Sequence, residues 1–154
     1  KNSFFKITRI DKLFPSNSFF SSYNLLFLDE DKVNEVEVIS GACMFMRKDV
    51  LDIVGYFDES FFMYGEDIDY CHRINEAGLK IIYYPDSKVV HFKGVSAKNR
   101  PYQVISEFHN SIIKYYDKYQ KKYPLWKLFK IFIVSIIIGK KYLSYFVHFI
   151  RNKR

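Results

Sequence analysis

The chain has 154 residues, 49% of them hydrophobic and 19% aromatic, enough for one packed domain and too apolar for wholesale disorder. With 6 Gly and 4 Pro it is neither collagen-like nor low-complexity, and its two cysteines, Cys43 and Cys71, lack the spacing of a disulfide framework or a zinc site and read as small buried thiols. The net charge of +7 is unevenly held: residues 1–97 carry 11 basic and 15 acidic side chains (−4), residues 98–154 carry 13 and 2 (+11), so the second part suits a polyanionic surface.

Residues 1–34 combine Pro15, a Ser/Asn cluster and the acidic run Asp29-Glu30-Asp31, and read as a connecting segment with a short apolar stretch at 25–28. The first residue is Lys and no signal peptide is visible, so the chain is expected to be a fragment or a processed piece. Val36, Val38 and Ile39 lead through Ser40-Gly41-Ala42 into Cys43-Met44-Phe45-Met46, which predicts a buried strand over 36–46. Residues 49–54 predict one or two helical turns stopped by Gly55. The loop at 56–64 then carries Tyr56, Phe57, Phe61, Phe62 and Tyr64.

Gly65 precedes Glu66-Asp67-Ile68-Asp69, and three carboxylates in a first turn complement the positive end of a helix dipole. Ile68, Cys71 and Ile74 predict the apolar stripe of that helix, and Gly78 after Ala77 its end. Residues 79–84 predict a strand, Pro85-Asp86-Ser87 a turn, and 88–92 a second short strand containing His91. A basic helical pattern runs over 101–123, Pro124 breaks it, and a long apolar-basic segment follows.

Carboxylates at a helix start facing an aromatic loop suit a general base, a set of metal ligands, or a plain charge cluster. The residue types leave all three open. The order and spacing of Ser40-Gly41-Ala42, Gly55-Tyr56-Phe57-Asp58-Glu59, Tyr64-Gly65-Glu66-Asp67-Ile68-Asp69 with Arg73, Ala77-Gly78, Tyr84-Pro85 and Val90-His91-Phe92-Lys93-Gly94 are more specific. Over residues 36–96 they resemble the acceptor-side half of family 2 glycosyltransferases, in the rhamnosyltransferase-like branch that builds bacterial surface polysaccharides.

The resemblance implies an α/β fold: part of the GT-A architecture, a Rossmann-like mixed sheet, followed by a helical C-terminal tail. It implies inverting transfer from a nucleotide-sugar donor to a saccharide or lipid-linked acceptor. In that reading Asp67 is the general base and Glu66 holds the acceptor. Ser40, Gly41, Ala42 and Tyr64 line the donor sugar and acceptor, His91 ligates a divalent metal (Mg2+ or Mn2+), and Asp69 and Arg73 brace the helix. Residues 1–97 would be the acceptor half, with the metal held largely through a donor-binding half outside this chain. The isolated chain is accordingly expected to be inactive. Asp29-Glu30-Asp31 spells the D-x-D letters of a donor-site metal motif, but the expected helix and strand do not follow it, so a solvated acidic turn is the preferred reading.

Residues 98–154 read as a basic, aromatic helical tail. Its longest uncharged run, 131–139, falls well short of the ~20 residues of a spanning helix. Lysines beside two short apolar runs suit a segment lying in the interface of an anionic membrane, peripheral and on the cytoplasmic face. Nucleic acid is set aside, because the cations alternate with bulky aliphatics and no recognition motif occurs. The competing function is a non-catalytic, membrane-peripheral binding module.

Overall fold

The computed structural model describes residues 25, 27–92, 100–120 and 126–152. The Pro15 and Ser/Asn part of the connecting segment, the Lys93-Gly94 end of the Val-His segment and the Pro124 break lie outside the described residues. The elements, in order, are β1 (Asn34–Val36), α1 (Lys48–Val54), α2 (Glu66–Glu76), β2 (Ile81–Tyr83), α3 (Pro101–Gln120) and α4 (Trp126–Asn152). β1 and β2 form a two-stranded sheet. The chain divides into two compact units, residues 1–36 with 82–89 and residues 37–81 with 90–154.

In the first unit, Asp29-Glu30-Asp31 is an exposed turn closed on itself. Asp29 Oδ1 accepts the Asp31 N–H at 3.1 Å and Oδ2 pairs with Lys32 at 2.8 Å. The Asn34 amide donates to the Asp29 and Lys32 carbonyls, and the Tyr83 hydroxyl to the Glu30 carbonyl. The hydrogen bond from Lys32 holds the Asp29 carboxyl below its usual range. Asp29 thus spends its oxygens within its own turn.

The second unit is built around α2. Residues 37–41 run alongside it in the opposite direction, in regular register. Asn75 Nδ2 donates to the Glu37 carbonyl at 2.8 Å, Cys71 Sγ lies 3.8 Å from the Ile39 carbonyl, and the Gly41 N–H donates to Asp67 Oδ2 at 2.9 Å. Two extended residues advance ~6.6 Å and four helical residues ~6.0 Å, so the two repeats nearly match. This register explains why the strand predicted over 36–46 ends at Val36. Its backbone groups are satisfied by α2 side chains instead of a neighbouring strand, and the chain then turns, with the Cys43 N–H donating to the Ser40 carbonyl at 3.4 Å. Beyond the turn Phe45 is 90% exposed, and Cys43 is only half-buried.

Other expectations are corrected in the same way. The strand over 79–84 contracts to Ile81–Tyr83, and 88–92 is unpaired, with Val90 83% exposed. The α2 stripe is rotated: Cys71 and Ile74 are buried, Ile68 is 43% exposed, and Asp69 and Tyr70 are wholly buried. The bounds of α1 and α2, the start of α3, the Gly55 and Gly78 stops in the left-handed region and the Pro85 turn agree with the sequence reading.

A buried carboxylate displaces the expected apolar stripe because it is fully paired. Asp69 Oδ2 accepts Arg73 Nε at 3.0 Å; Oδ1 accepts the Tyr119 hydroxyl at 2.7 Å and Lys118 Nζ at 2.6 Å. Arg73 also donates to the Val54 and Tyr56 carbonyls at 2.7 and 2.8 Å, and Lys118 reaches Asp58 Oδ2 at 2.7 Å. Phe57 stacks on Tyr70 with ring centroids 4.5 Å apart, and the Tyr70 hydroxyl donates to the Gly55 carbonyl. The network joins α2, the aromatic loop and α3.

α3 and α4 pack as an antiparallel pair: Asp117 meets Lys130 at 2.9 Å, Asn110 meets Lys141 at 3.3 Å, and Tyr102 meets Tyr145 and His148 edge to face. α4 is continuous through Gly139-Lys140-Lys141, between the two short apolar runs. Lys130–Arg151, 22 residues at mean hydropathy 1.4, is therefore long and apolar enough to cross a membrane by length and composition, which corrects the expectation from its short uncharged runs.

Removing one partner of a buried charge network leaves its opposites uncompensated. Asp69→Ala is expected to cost roughly 3–5 kcal/mol of unfolding free energy, whereas the half-exposed Asp58→Ala costs about 1 kcal/mol or less. The Asp58 carboxyl lies well below its usual 3.8, first through the hydrogen bond from Lys118 and then through Ser60. Burial lowers the Lys118 pKa, but its bonds to Asp58 and Asp69 outweigh that and leave it raised above 10.5. The Asp58 contribution is present above pH 3.8 and fades as acid titrates the depressed group. That of Lys118 is complete below pH 10.5 and fades as base titrates the raised one. Denaturant midpoints measured between pH 2 and 11 should lose part of their acid slope in Asp58→Asn.

Candidate active site

The first turn of α2 is set by two consecutive residues in the left-handed region, Tyr64 at φ 67° and Gly65 at φ 84°. A bulky residue is uncommon there. Tyr64 is held by an edge-to-face contact with Phe108 of α3, centroids 5.7 Å apart. A Cβ on Gly65 would stand 3.2 Å from both the Phe61 ring and the Ser111 Cβ, so loop, helix start and α3 meet closely at this glycine. The Gly65 carbonyl accepts the Asp69 N–H at 2.8 Å and opens the helix.

Asp67 stands at the end of the 37–41 register. Its Oδ2 accepts the Gly41 N–H at 2.9 Å and its Oδ1 the Ile68 N–H at 2.8 Å, so both oxygens are oriented by backbone donors. A Cβ on Gly41 would lie 3.3 Å from the Asp67 Cβ, so the glycine permits this approach. Ser40 Oγ accepts the Ala42 N–H at 3.3 Å and steadies the same turn. Beside Asp67, Glu66 Oε2 is buried without a hydrogen-bond partner among the described residues. Such an acceptor is costly unless a donor arrives, and a ligand hydroxyl meets that need.

The structure therefore brings Ser40, Gly41, Ala42, Glu66 and Asp67 to one place, with Tyr64 at its edge. Asp69 and Arg73 lie in the buried network and form their own ion pair. His91 lies on the exposed segment after β2, with no hydrogen bond or ion pair to Asp67 or Glu66 among the described residues. Among the described residues no three His, Cys, Asp or Glu side chains converge as a metal site, so these residues alone do not fit the divalent cation that the resemblance implies.

The sequence reading missed the residues of α3 that support α2. Tyr119 donates to Asp69, and the Tyr115 hydroxyl meets His72 Nδ1 at 3.2 Å. Burial, reinforced by the bond to Asp69, raises the Tyr119 phenol so far that it remains a proton donor throughout the ordinary pH range. The available signal was spacing: Tyr115, Lys118 and Tyr119, at separations of three and four, share one helical face.

Residues 24–106 match the family described as "Glycosyltransferase like family 2". The chain is 33% identical over 97 residues to the N-acetylglucosaminyl-diphospho-decaprenol L-rhamnosyltransferase of Mycobacterium tuberculosis, covering 63% of this chain and 31% of that protein. It is 30% identical over 104 residues to the low-salt glycan biosynthesis hexosyltransferase Agl10 of Haloferax volcanii, covering 64% and 34%. Over 57 residues it is 37% identical to the rhamnosyltransferase WbbL of Escherichia coli, covering 37% and 22%. The chain thus spans about a third of the first two relatives, 31% and 34%. No solved structure matches it.

Gly55 and Gly65 share a positive φ, but only Gly65 is enclosed. Gly55→Ala is expected to cost the ~1–2 kcal/mol of a left-handed residue, and Gly65→Ala that amount plus the displacement of Phe61 and Ser111. Urea unfolding of the two variants measures the difference.

Proposed function

The chain belongs to the glycosyltransferase-like family 2, and from that premise we propose that it carries the acceptor-activating side of an inverting transferase. The substrates in this reading are a nucleotide-sugar donor and a saccharide or lipid-linked acceptor, in the synthesis of a surface polysaccharide. The similarity to a rhamnosyltransferase and a hexosyltransferase supports a rhamnosyl or hexosyl unit as the group transferred.

The observation that carries the proposal is the bond from the Gly41 N–H to Asp67 Oδ2, which links two motif segments 26 residues apart and aims the carboxylate. Each Asp67 oxygen accepts one backbone N–H and keeps a further lone-pair direction for an acceptor hydroxyl. As that hydroxyl oxygen attacks the anomeric carbon, its proton passes to Asp67, the bond to the nucleoside diphosphate breaks, and a single displacement inverts the centre. Glu66 accepts a neighbouring hydroxyl of the acceptor, and the half-exposed Tyr64 ring borders the sugar. Ser40, Gly41 and Ala42 keep the approach narrow in side chain. Asp69 and Arg73 hold the helix that presents the base. No step is assigned to His91 or to a divalent cation.

The α3–α4 pair is proposed to lie in the interface of an anionic membrane, on its cytoplasmic face. Lys140 and Lys141 fall at the centre of Lys130–Arg151, where each charge would cost about 2.5–3.5 kcal/mol in a spanning helix. In the interface the same cations gain ~1 kcal/mol each from anionic headgroups.

In the whole protein that carries this chain, Asp67→Asn keeps the shape of the side chain and removes its basicity. Turnover should fall ~10²–10⁴-fold while nucleotide-sugar binding persists. Near-normal turnover in Asp67→Asn beside an inactive, folded Asp69→Asn would move the base to the other carboxylate. Wild-type protein that binds vesicles but transfers no sugar would favour the non-catalytic binding module. Sedimentation with phosphatidylglycerol vesicles should weaken as salt shortens the attraction, whereas equal binding to neutral vesicles would point to a purely apolar anchor.

A further inference from the structure

A cavity of about 560 Å³ opens between α3 and α4, within the ~300–1,000 Å³ of small-molecule sites. Val104, Phe108 and Leu143 give it an apolar wall, and Tyr64, His109 and Lys140 bring polar side chains to it. His109 sets the chemistry. It is only 7% exposed, and its Nδ1 lies 2.7 Å from the Ile105 carbonyl. A carbonyl only accepts, so Nδ1 holds the proton, and in the neutral ring Nε2 is left as a lone-pair acceptor. Among the described residues nothing donates to Nε2. The Tyr64 hydroxyl and the Lys140 ammonium have no hydrogen-bond or ion-pair partner there either.

So deeply buried an acceptor is costly until a donor arrives, and a hydrocarbon guest brings none. The complementary ligand carries hydroxyl donors on its rim and a C–H face for the Tyr64 and Phe108 rings. A pyranose has both. The cleft is not where the acceptor hydroxyl reacts: Asp67 faces residues 37–41, whereas α3 meets α2 through Asp69, about 200° round the helix. Tyr64 nevertheless stands three residues before Asp67, with Cα atoms no more than ~11 Å apart, so a chain of linked sugars spans the two. We propose that the cleft between α3 and α4 is a distal saccharide subsite: it holds a sugar unit of the acceptor other than the one that reacts, with a hydroxyl of that unit donating to His109 Nε2. The inference rests on the transferase reading of Asp67, and it selects an oligosaccharide acceptor over a single sugar.

Titration of the whole protein that carries this chain with rhamnotriose and with maltotriose tests it, by calorimetry and by the 15N resonances of labelled histidine. At least one trisaccharide is expected to bind tenfold or more tighter than its methyl monosaccharide and to shift the His109 Nε2 resonance. His109→Asn keeps a donor for the Ile105 carbonyl and lacks Nε2, and should weaken binding tenfold or more. His109→Gln, which places an accepting oxygen near Nε2, should retain most of it. Leu143→Trp, at an exposed position, fills the cleft and should weaken binding tenfold, whereas Asp67→Asn should leave the His109 shift in place. The proposal is overturned if neither trisaccharide binds, if the His109 resonance does not move, or if His109→Asn and Leu143→Trp bind as the wild type does. Farnesol bound as tightly as either trisaccharide would assign the cleft to hydrocarbon and overturn it as well. Transfer to a trisaccharide acceptor with KM unmoved by Leu143→Trp sinks the subsite and leaves the transferase reading standing. Trisaccharide binding at His109 in a whole protein that transfers no sugar sinks the transferase reading, and with it the acceptor role of the cleft.

Discussion

One wholly buried carboxylate organises the larger unit. Asp69 receives Arg73, Lys118 and Tyr119, and these partners belong to α2 and α3, while Arg73 and Lys118 reach on to the Val54 and Tyr56 carbonyls and to Asp58. Two carboxylates and two cations balance, so the charge that burial would otherwise penalise is compensated at short range. An apolar residue at this position would bury as well but would specify nothing. The carboxylate admits one arrangement of the loop and one rotation of α2 about its axis, and this rotation decides which side chains of α2 face where.

The rotation has a chemical consequence. With Asp69 turned inward, Asp67, Cys71 and Asn75 fall on the face that meets residues 37–41, and Ile68 is turned toward solvent. The helix therefore presents its carboxylates in two different environments. Asp69 is encased in cations and a phenol and holds the fold. Asp67 is aimed by two backbone N–H groups, and Glu66 beside it keeps a buried oxygen without a hydrogen-bond partner among the described residues. Two carboxylates separated by one residue take unlike roles because α2 turns about 200° between them.

The antiparallel α3–α4 pair ties the tail to the same centre. α3 supplies Tyr119 and Lys118 to the network, and Phe108 holds Tyr64 in its left-handed conformation. Through Tyr64, the loop that leads into α2 thus joins α3 to the helix that carries Asp67.

The sequence alone determined the local features. Gly55, Gly65 and Gly78 marked helix boundaries, Pro85 a turn, and the order of the Ser-Gly-Ala, Gly-Glu-Asp and Val-His segments was enough to recognise the family, because spacing along the chain is itself the signal. Tertiary structure decided what the backbone and the charges pair with. The β-biased run after Val36 is extended as its composition requires, yet whether its N–H and C=O groups meet a strand or a helix depends on residues 26 to 38 positions away. The same holds for Asp69: its pairing with Arg73 is local, but its complete burial depends on Lys118 and Tyr119 from about 50 residues downstream. Periodicity and propensity report on a window of a few turns, and a buried charge is stable only through partners that no such window contains.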